Sequence, residues 1–332
     1  MQRARPIAII TALFILGVSG ARSSHSVLRA NARVDQTQAR ASIGILLLAH
    51  GGQPEWNGHV EAIATAAGAT GPVEVAFGMA SRPAIQGAVD RLEARKVTEI
   101  VAVPLFISSH SSVVTSTAYL LGLRPDMPAD LKVFAKMNHG PGGGHGAATP
   151  AADAHAGHAA TPAETVDGTV PVKHTVPIRM GSALDAHPIV ADILTDRAAE
   201  LSQNPANEVV ILVAHGPVKA DEDAKWVDNM QRLAARMTKI RAFARIETLT
   251  VRDDAPAEIK AQATAHLRAT VEKATAEGKR ALIVPLLLSY GGIEKGIRRR
   301  LEGLDYAMSS QALLPDARLA TWVQEQAARG SN

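Results

Sequence analysis

The chain has 332 residues, 46% of them hydrophobic and 20% charged, with a formal net charge of +3; this length and balance suit a soluble globular protein of two ordinary domains. Aromatic residues make up only 3%, which leaves few platforms for bases to stack on and argues against nucleic acid as a partner, while a mildly basic chain suits a small acidic ligand. With no cysteine, disulfides, thiolate metal sites and cysteine nucleophiles are excluded, so any transition-metal site must draw on histidine, carboxylate, methionine or backbone oxygen.

At the N-terminus Arg3 and Arg5 precede the apolar run IAIITALFILGV, and Ser19, Gly20 and Ala21 follow it. This is the pattern of a signal peptide over residues 1–21, cut after Ala21, with an apolar run short for a membrane-spanning helix. The expectation is an exported, periplasmic or extracellular protein with no stable membrane insertion after cleavage. An uncleaved anchor is the alternative, and it also leaves the remainder outside the cytoplasm.

Past residue 41, apolar runs alternate with helical patterns, the signature of βαβ units and a parallel sheet. SIGILLLA, VEVAFGM and IVAVPLF read as strands in the first half, with helices near 57–68 and 83–95. The second half repeats the order: EVVILVA, a helix near 222–238, RIETLTV, a helix from Ala257 to Glu277, and ALIVPLLL. Two words recur in both halves, AHG at 49–51 and 214–216, and VPLF at 103–106 against VPLL at 284–287. Duplication of one α/β unit is the simplest account, against the general likeness of doubly wound sheets.

Between the halves lies a tract rich in Gly, Ala, Pro and His, which cannot bury enough apolar surface to offset its ordering entropy and reads as a flexible insert. Its His139, His145, His155 and His158 could gather a metal ion loosely, or the tract could be a drifted linker. Its glycines lack the GK[ST] ending of a phosphate loop, so no nucleotide is expected. Ordered sequence resumes with IRMGSALDAHPIVADILTDRAAEL, where apolar spacing predicts a helix starting between Asp185 and Pro188.

In an open parallel sheet, ligands bind beyond the carboxyl ends of the strands. His50 stands where the first strand stops, and His110 lies just past VPLF at the same edge. Two imidazoles there could hold one divalent metal or accept protons, while either alone is more simply a loop-capping residue. The second copy keeps His215 but has Gly291 in place of His110, so chemistry is expected in the N-terminal copy. Lys295, Arg298, Arg299 and Arg300 form a basic run that could meet carboxylates of a ligand or could be a solvated helix face.

The order of these words, an apolar strand ending in HG, a middle strand before a Pro-initiated helix, then VPLF with a histidine soon after, resembles the CbiX-type sirohydrochlorin chelatases of the class II chelatase superfamily. MGSALDAHPIVADILTDRAAEL is similar to the helix that links that family's halves. The resemblance implies an α/β fold of two duplicated parallel-sheet lobes, chelatase-like and of flavodoxin-like three-layer form. It divides the chain into residues 41–136 (N-terminal lobe), 137–176 (insert) and 177–325 (linker helix and C-terminal lobe). It further implies a lyase-type enzyme that inserts Co²⁺, Fe²⁺ or Ni²⁺, as substrate and without a nucleotide, into a sirohydrochlorin-like tetrapyrrole. His50 matches the first metal-binding histidine of the family, the second falls near His110 at Ser112, and the family's acidic residue falls on Met79. An exported, non-catalytic metal-binding or metal-delivery protein is the other reading.

Overall fold

Strand and helix patterns alternate along the chain, and the backbone follows them closely. The computed structural model describes residues 42–136 and 167–329, which lie within one compact unit, Ala41–Asn332. Its first half runs β1 (Ile43–Ala49), α1 (Pro54–Ala67), β2 (Val73–Phe77), α2 (Arg82–Ala94), β3 (Glu99–Leu105), α3 (Ser112–Leu120), the single turn α4 (Leu131–Phe134), β4 (Ile178–Met180) and α5 (Pro188–Leu201). The second half runs β5 (Glu208–Ala214), α6 (Ala220–Ile240), β6 (Arg245–Thr250), α7 (Ala257–Ala276), β7 (Arg280–Leu286), α8 (Ile293–Arg300), β8 (Ala307–Met308) and α9 (Arg318–Ala328).

The strands form two four-stranded parallel sheets, ordered β2-β1-β3-β4 and β6-β5-β7-β8. Their registers repeat as well as their order. Ala49 pairs with Leu105 and Phe77, and Ala214 pairs with Leu286 and Thr250. Pro104 stands beside Leu48, and Pro285 beside Val213, at matching places. The fold is thus the duplicated two-lobed α/β architecture expected from the sequence.

Parallel strands buried on both faces read as unbroken apolar runs because alternate residues enter different cores. Ile45, Leu47 and Ala49 of β1 join Val101, Val103 and Leu105 of β3 in a central core; Leu46, Leu48, Ile100 and Ala102 point to an outer one covered by α2, α3 and α4. The second sheet does the same. Val210, Leu212, Ala214, Leu282, Val284 and Leu286 enter the central core, while Val209, Ile211, Val213 and Ile283 pack outward on α7 and α8. Both sheets therefore share one apolar layer, filled by α1, α5, α6 and α9.

The last helix of each half packs on the sheet of the other: α5 lies against β7 and α6, and α9 lies against β3, β1 and α1. Arg179 of β4 fastens the exchange by pairing with Glu99 and donating to the carbonyl of Ala327 at 2.7 Å. At the start of α5, Pro188 takes the first helical position and His187 caps it, Nδ1 accepting from the Ile189 amide at 3.3 Å. His187 Nε2 lies 3.1 Å from Glu325 of α9, and burial holds the imidazole pKa below its ordinary value.

These contacts move the boundaries drawn from sequence. Ile178–Met180, read as the start of the second lobe, is the outer strand of the first sheet, paired with β3. Residues 167–176, read as insert, are packed on the first lobe: Val172 is buried, its amide donating to the Leu120 carbonyl at 2.8 Å, and Arg82 and Gln86 of α2 bond the backbone of Val170 and Lys173. Apolar periodicity misses them because short segments at a sheet edge carry no repeat. The second lobe likewise does not stop at 325, since α9 runs to Ala328.

Trp322 of α9 is fully buried in the shared layer. Trp322→Ala is expected to cost about 3–5 kcal/mol. Denaturant unfolding should show that loss in one transition for both lobes, because the truncated helix serves the first lobe from the end of the second.

Candidate functional site

The mouths of the two sheets lie where β1, β3, β5 and β7 end. Each AHG word sits there for a backbone reason: Gly51 (φ 76°) and Gly216 (φ 75°) both turn in the left-handed region, where a side chain is disfavoured. A Cβ on Gly51 would come 3.2 Å from Phe77, and one on Gly216 only 2.5 Å from Thr250 Cβ. The glycine after each histidine thus lets the chain turn close against β2 or β6. The recurring histidines stand just before those turns.

His50 is half-buried at the end of β1. Its Nδ1 lies 2.6 Å from the Gly51 carbonyl, an arrangement suited to an Nδ1–H donor, which places the lone pair on Nε2. The imidazole is stacked on the Trp56 indole, ring centres 5.6 Å apart and planes 18° from parallel. Behind it, the Gly52 amide donates to Asn57 Oδ1 at 2.8 Å and holds the HGG turn on the first turn of α1.

His110 is exposed in the β3–α3 loop, with its backbone tied on both sides. Its amide donates to Ser108 Oγ at 3.1 Å, and its carbonyl accepts from Trp226 Nε1 of α6 at 2.8 Å. Asp185, from the segment before α5, holds the same loop: its carboxylate accepts from the Ser109 amide at 2.8 Å, from Ser109 Oγ at 2.6 Å and from Asn229 Nδ2 of α6 at 3.1 Å. The loop that carries His110 is therefore built jointly by both halves. Ser112 begins α3 and bonds to Asp130, whose carboxyl Lys219 of the second lobe holds below its usual pKa from 2.8 Å.

The structure thus sets His50 and His110 at the carboxyl edge of adjoining strands. Among the described residues no group of three or more His, Asp or Glu stands ready to hold a metal ion. Any ion here would meet a sparse imidazole set rather than a closed cage. Met79 packs on the outer core.

The second mouth has diverged. His215 lies 3.5 Å from Asp254, and Arg252 donates to the carbonyls of Pro217 and Val218, binding that loop to itself. Gly291 stands at the same offset past β7 as His110 past β3, and the buried Glu294 accepts from the Gly291 and Gly292 amides at 3.1 and 2.8 Å. Lys295, Arg298 and Arg299 are exposed along α8. Arg298 and Arg299 sit in its last turn, where the helix dipole favours cations, and neighbouring Arg300 turns to Asp253 and to Thr264, 3.1 Å away. His139, His145, His155 and His158 lie outside the described residues, as does the N-terminal signal-like segment.

Trp56, Asp185, Trp226 and Asn229 were not singled out as site residues from sequence. Trp56 had one legible signal: it is one of three tryptophans in an aromatic-poor chain and follows the HGG word by four residues.

The two parallel-sheet lobes give the chain the fold of structures described as chelatases or chelatase-like. The family model that matches the chain is CbiX, over residues 44–201. SirB from Bacillus subtilis, solved with Fe³⁺, superposes with a TM-score of 0.56 at 16% identity, over 86% of this chain and 96% of that one. SirB from Bacillus subtilis subspecies spizizenii, a sirohydrochlorin chelatase solved with cobalt, gives 0.52 at 13%, over 86% and 95%. DR2241 from Deinococcus radiodurans, a multi-domain protein with structural similarity to chelatases, gives 0.51 at 16%, over 88% of this chain and 56% of that one. At these identities the superpositions establish the fold. No curated protein sequence matches the chain. Among the described residues no helix is long and apolar enough to cross a membrane.

Asp185 holds its loop at a positive φ of 44°. Asp185→Ala would orphan the Ser109 and Asn229 donors, a loss of about 1–3 kcal/mol. Hydrogen exchange at residues 107–111 is expected to quicken, with the 290–292 loop unchanged.

Proposed function

We propose that this protein is a chelatase, a lyase-type enzyme that inserts Co²⁺, Fe²⁺ or Ni²⁺ into a sirohydrochlorin-like tetrapyrrole without a nucleotide. The observation that carries the reading is the placement of His50 and His110 past the ends of adjoining strands β1 and β3, in the lobe that matches CbiX. The SirB structures, solved with Fe³⁺ and with cobalt, support it by likeness of fold.

Metal insertion exchanges one divalent ion for two pyrrole N–H protons. The ion must be held weakly enough to leave, and the protons must go to a base. His50, through Nε2, and the exposed His110 supply a two-imidazole ligand set. As the ion passes to the macrocycle nitrogens, the imidazoles are released and their freed ring nitrogens accept the two pyrrole protons. A four-ligand cage would hold the ion too firmly for this transfer. Lys295, Arg298 and Arg299 are the cations we assign to the tetrapyrrole carboxylates, on charge and exposure.

The test is loss of free sirohydrochlorin absorbance with Co²⁺ or Fe²⁺, beside His50→Ala and His110→Ala. Turnover in wild type is expected to fall by 10²-fold or more in His50→Ala, about the contribution of one positioned acid–base group. Stoichiometric metal binding with no turnover above the uncatalysed rate would overturn the enzyme and leave a metal-binding or metal-delivery protein, to whose cargo His139, His145, His155 and His158 would then contribute.

We also propose export to the periplasm or beyond, on the Arg3, Arg5 and IAIITALFILGV pattern. Fractionation followed by mass analysis of the N-terminus should find a chain starting at Arg22 outside the cytoplasm; a cytoplasmic chain starting at Met1 would overturn this.

A further inference from the structure

Trp56 joins the two features that set the mouths apart. Its indole lies under the His50 imidazole. It also lies against glycines from both lobes. A Cβ on Gly52 would stand 2.4 Å from Trp56 Cε3, so no other residue fits there unless the indole moves; a Cβ on Gly291 would stand 3.4 Å from Cζ3 and 3.7 Å from Cε3. The first of these distances is a clash, the second ordinary contact.

Gly291 is the residue that stands where a repeated unit would carry its second histidine. An alanine Cβ would make ordinary contact with the indole there, at an exposed position of the second lobe. The indole also packs against the shared central core, and its buried Nε1–H has no hydrogen-bond partner among the described residues, so shape and stacking hold this ring.

We propose that Trp56 is a positioning residue for His50, stacked on its imidazole while lying against Gly291 of the second lobe, so that the metal site depends on an indole between the lobes. The proposal rests on the reading of His50 as a metal ligand. The indole face limits rotation of the imidazole, while the Gly51 carbonyl sets its tautomer, and the two together present Nε2 in one orientation before the metal arrives. A ligand already oriented loses less freedom on binding. Aromatic stacking, rather than bulk, is the property that matters, so phenylalanine should replace tryptophan and leucine should not.

Co²⁺ binding to the purified full chain, followed by visible absorption, tests this. His139, His145, His155 and His158 are replaced by alanine in every arm to remove competing imidazoles. Trp56→Leu is expected to weaken Co²⁺ binding about tenfold, the usual scale for a residue that orients a ligand, while Trp56→Phe retains most of the affinity at equal thermal stability. A Trp56→Phe as damaged as Trp56→Leu, or a Trp56→Leu with wild-type affinity, overturns the positioning role. His50→Ala separates the two layers: if it leaves Co²⁺ binding unchanged, the metal-site reading itself fails.

Discussion

The structure depends on one apolar layer shared by two sheets. Each sheet turns alternate residues of its strands toward the middle, and neither can cover that face with helices of its own half alone, since α5 and α9 are exchanged across the halves. Burial of this layer is the dominant favourable contribution to folding, because apolar area removed from water scales with the number of such faces covered. The exchange also makes the two halves one unit: the chain cannot separate its lobes without stripping the last helix from each.

That constraint reaches the candidate site through backbone rather than through side-chain chemistry. The loop carrying His110 accepts a hydrogen bond from Trp226 of the second half and is tied by Asp185, which also bonds Asn229 of α6. A half-exposed pair, Lys219 with Asp130, adds a further link between lobes, of a kind that contributes at most about 1 kcal/mol in water. The first lobe thus presents its histidines only in the company of the second. A duplicated frame has kept both copies where backbone geometry is demanding, at Gly51 and Gly216, and let them part where side chains face the mouth. Past the strand ends, Met79, which packs on the outer core, stands at the offset of Arg252, and His110 at that of Gly291.

Much of the fold was legible in the chain because β1, β3, β5 and β7 are buried on both faces, and such strands read as near-continuous apolar runs. The long helices α6 and α7 were equally readable. What escaped is short or peripheral: β4 and β8, of three and two residues, carry no period, and residues 167–176 are held by bonds from Arg82, Gln86 and Glu93 on a helix far away in sequence. At the site, His50 and His110 could be named from their places after apolar runs. The residues that support them could not, because Trp56, Asp185 and Trp226 act across the chain and follow no local pattern.

By itself the sequence determined the two repeated α/β units, the glycine turns after each strand-end histidine, and the copy in which a second histidine survives. These follow from local rules, since alternation, turn conformation and spacing each act within a few residues. Only the tertiary structure decided which sheet each terminal helix covers, that β4 belongs to the first lobe, and that an indole stacks on His50 beside Gly291. Those outcomes depend on volumes and hydrogen bonds supplied by distant segments, and packing of that kind exists only once the two central faces have closed on one another.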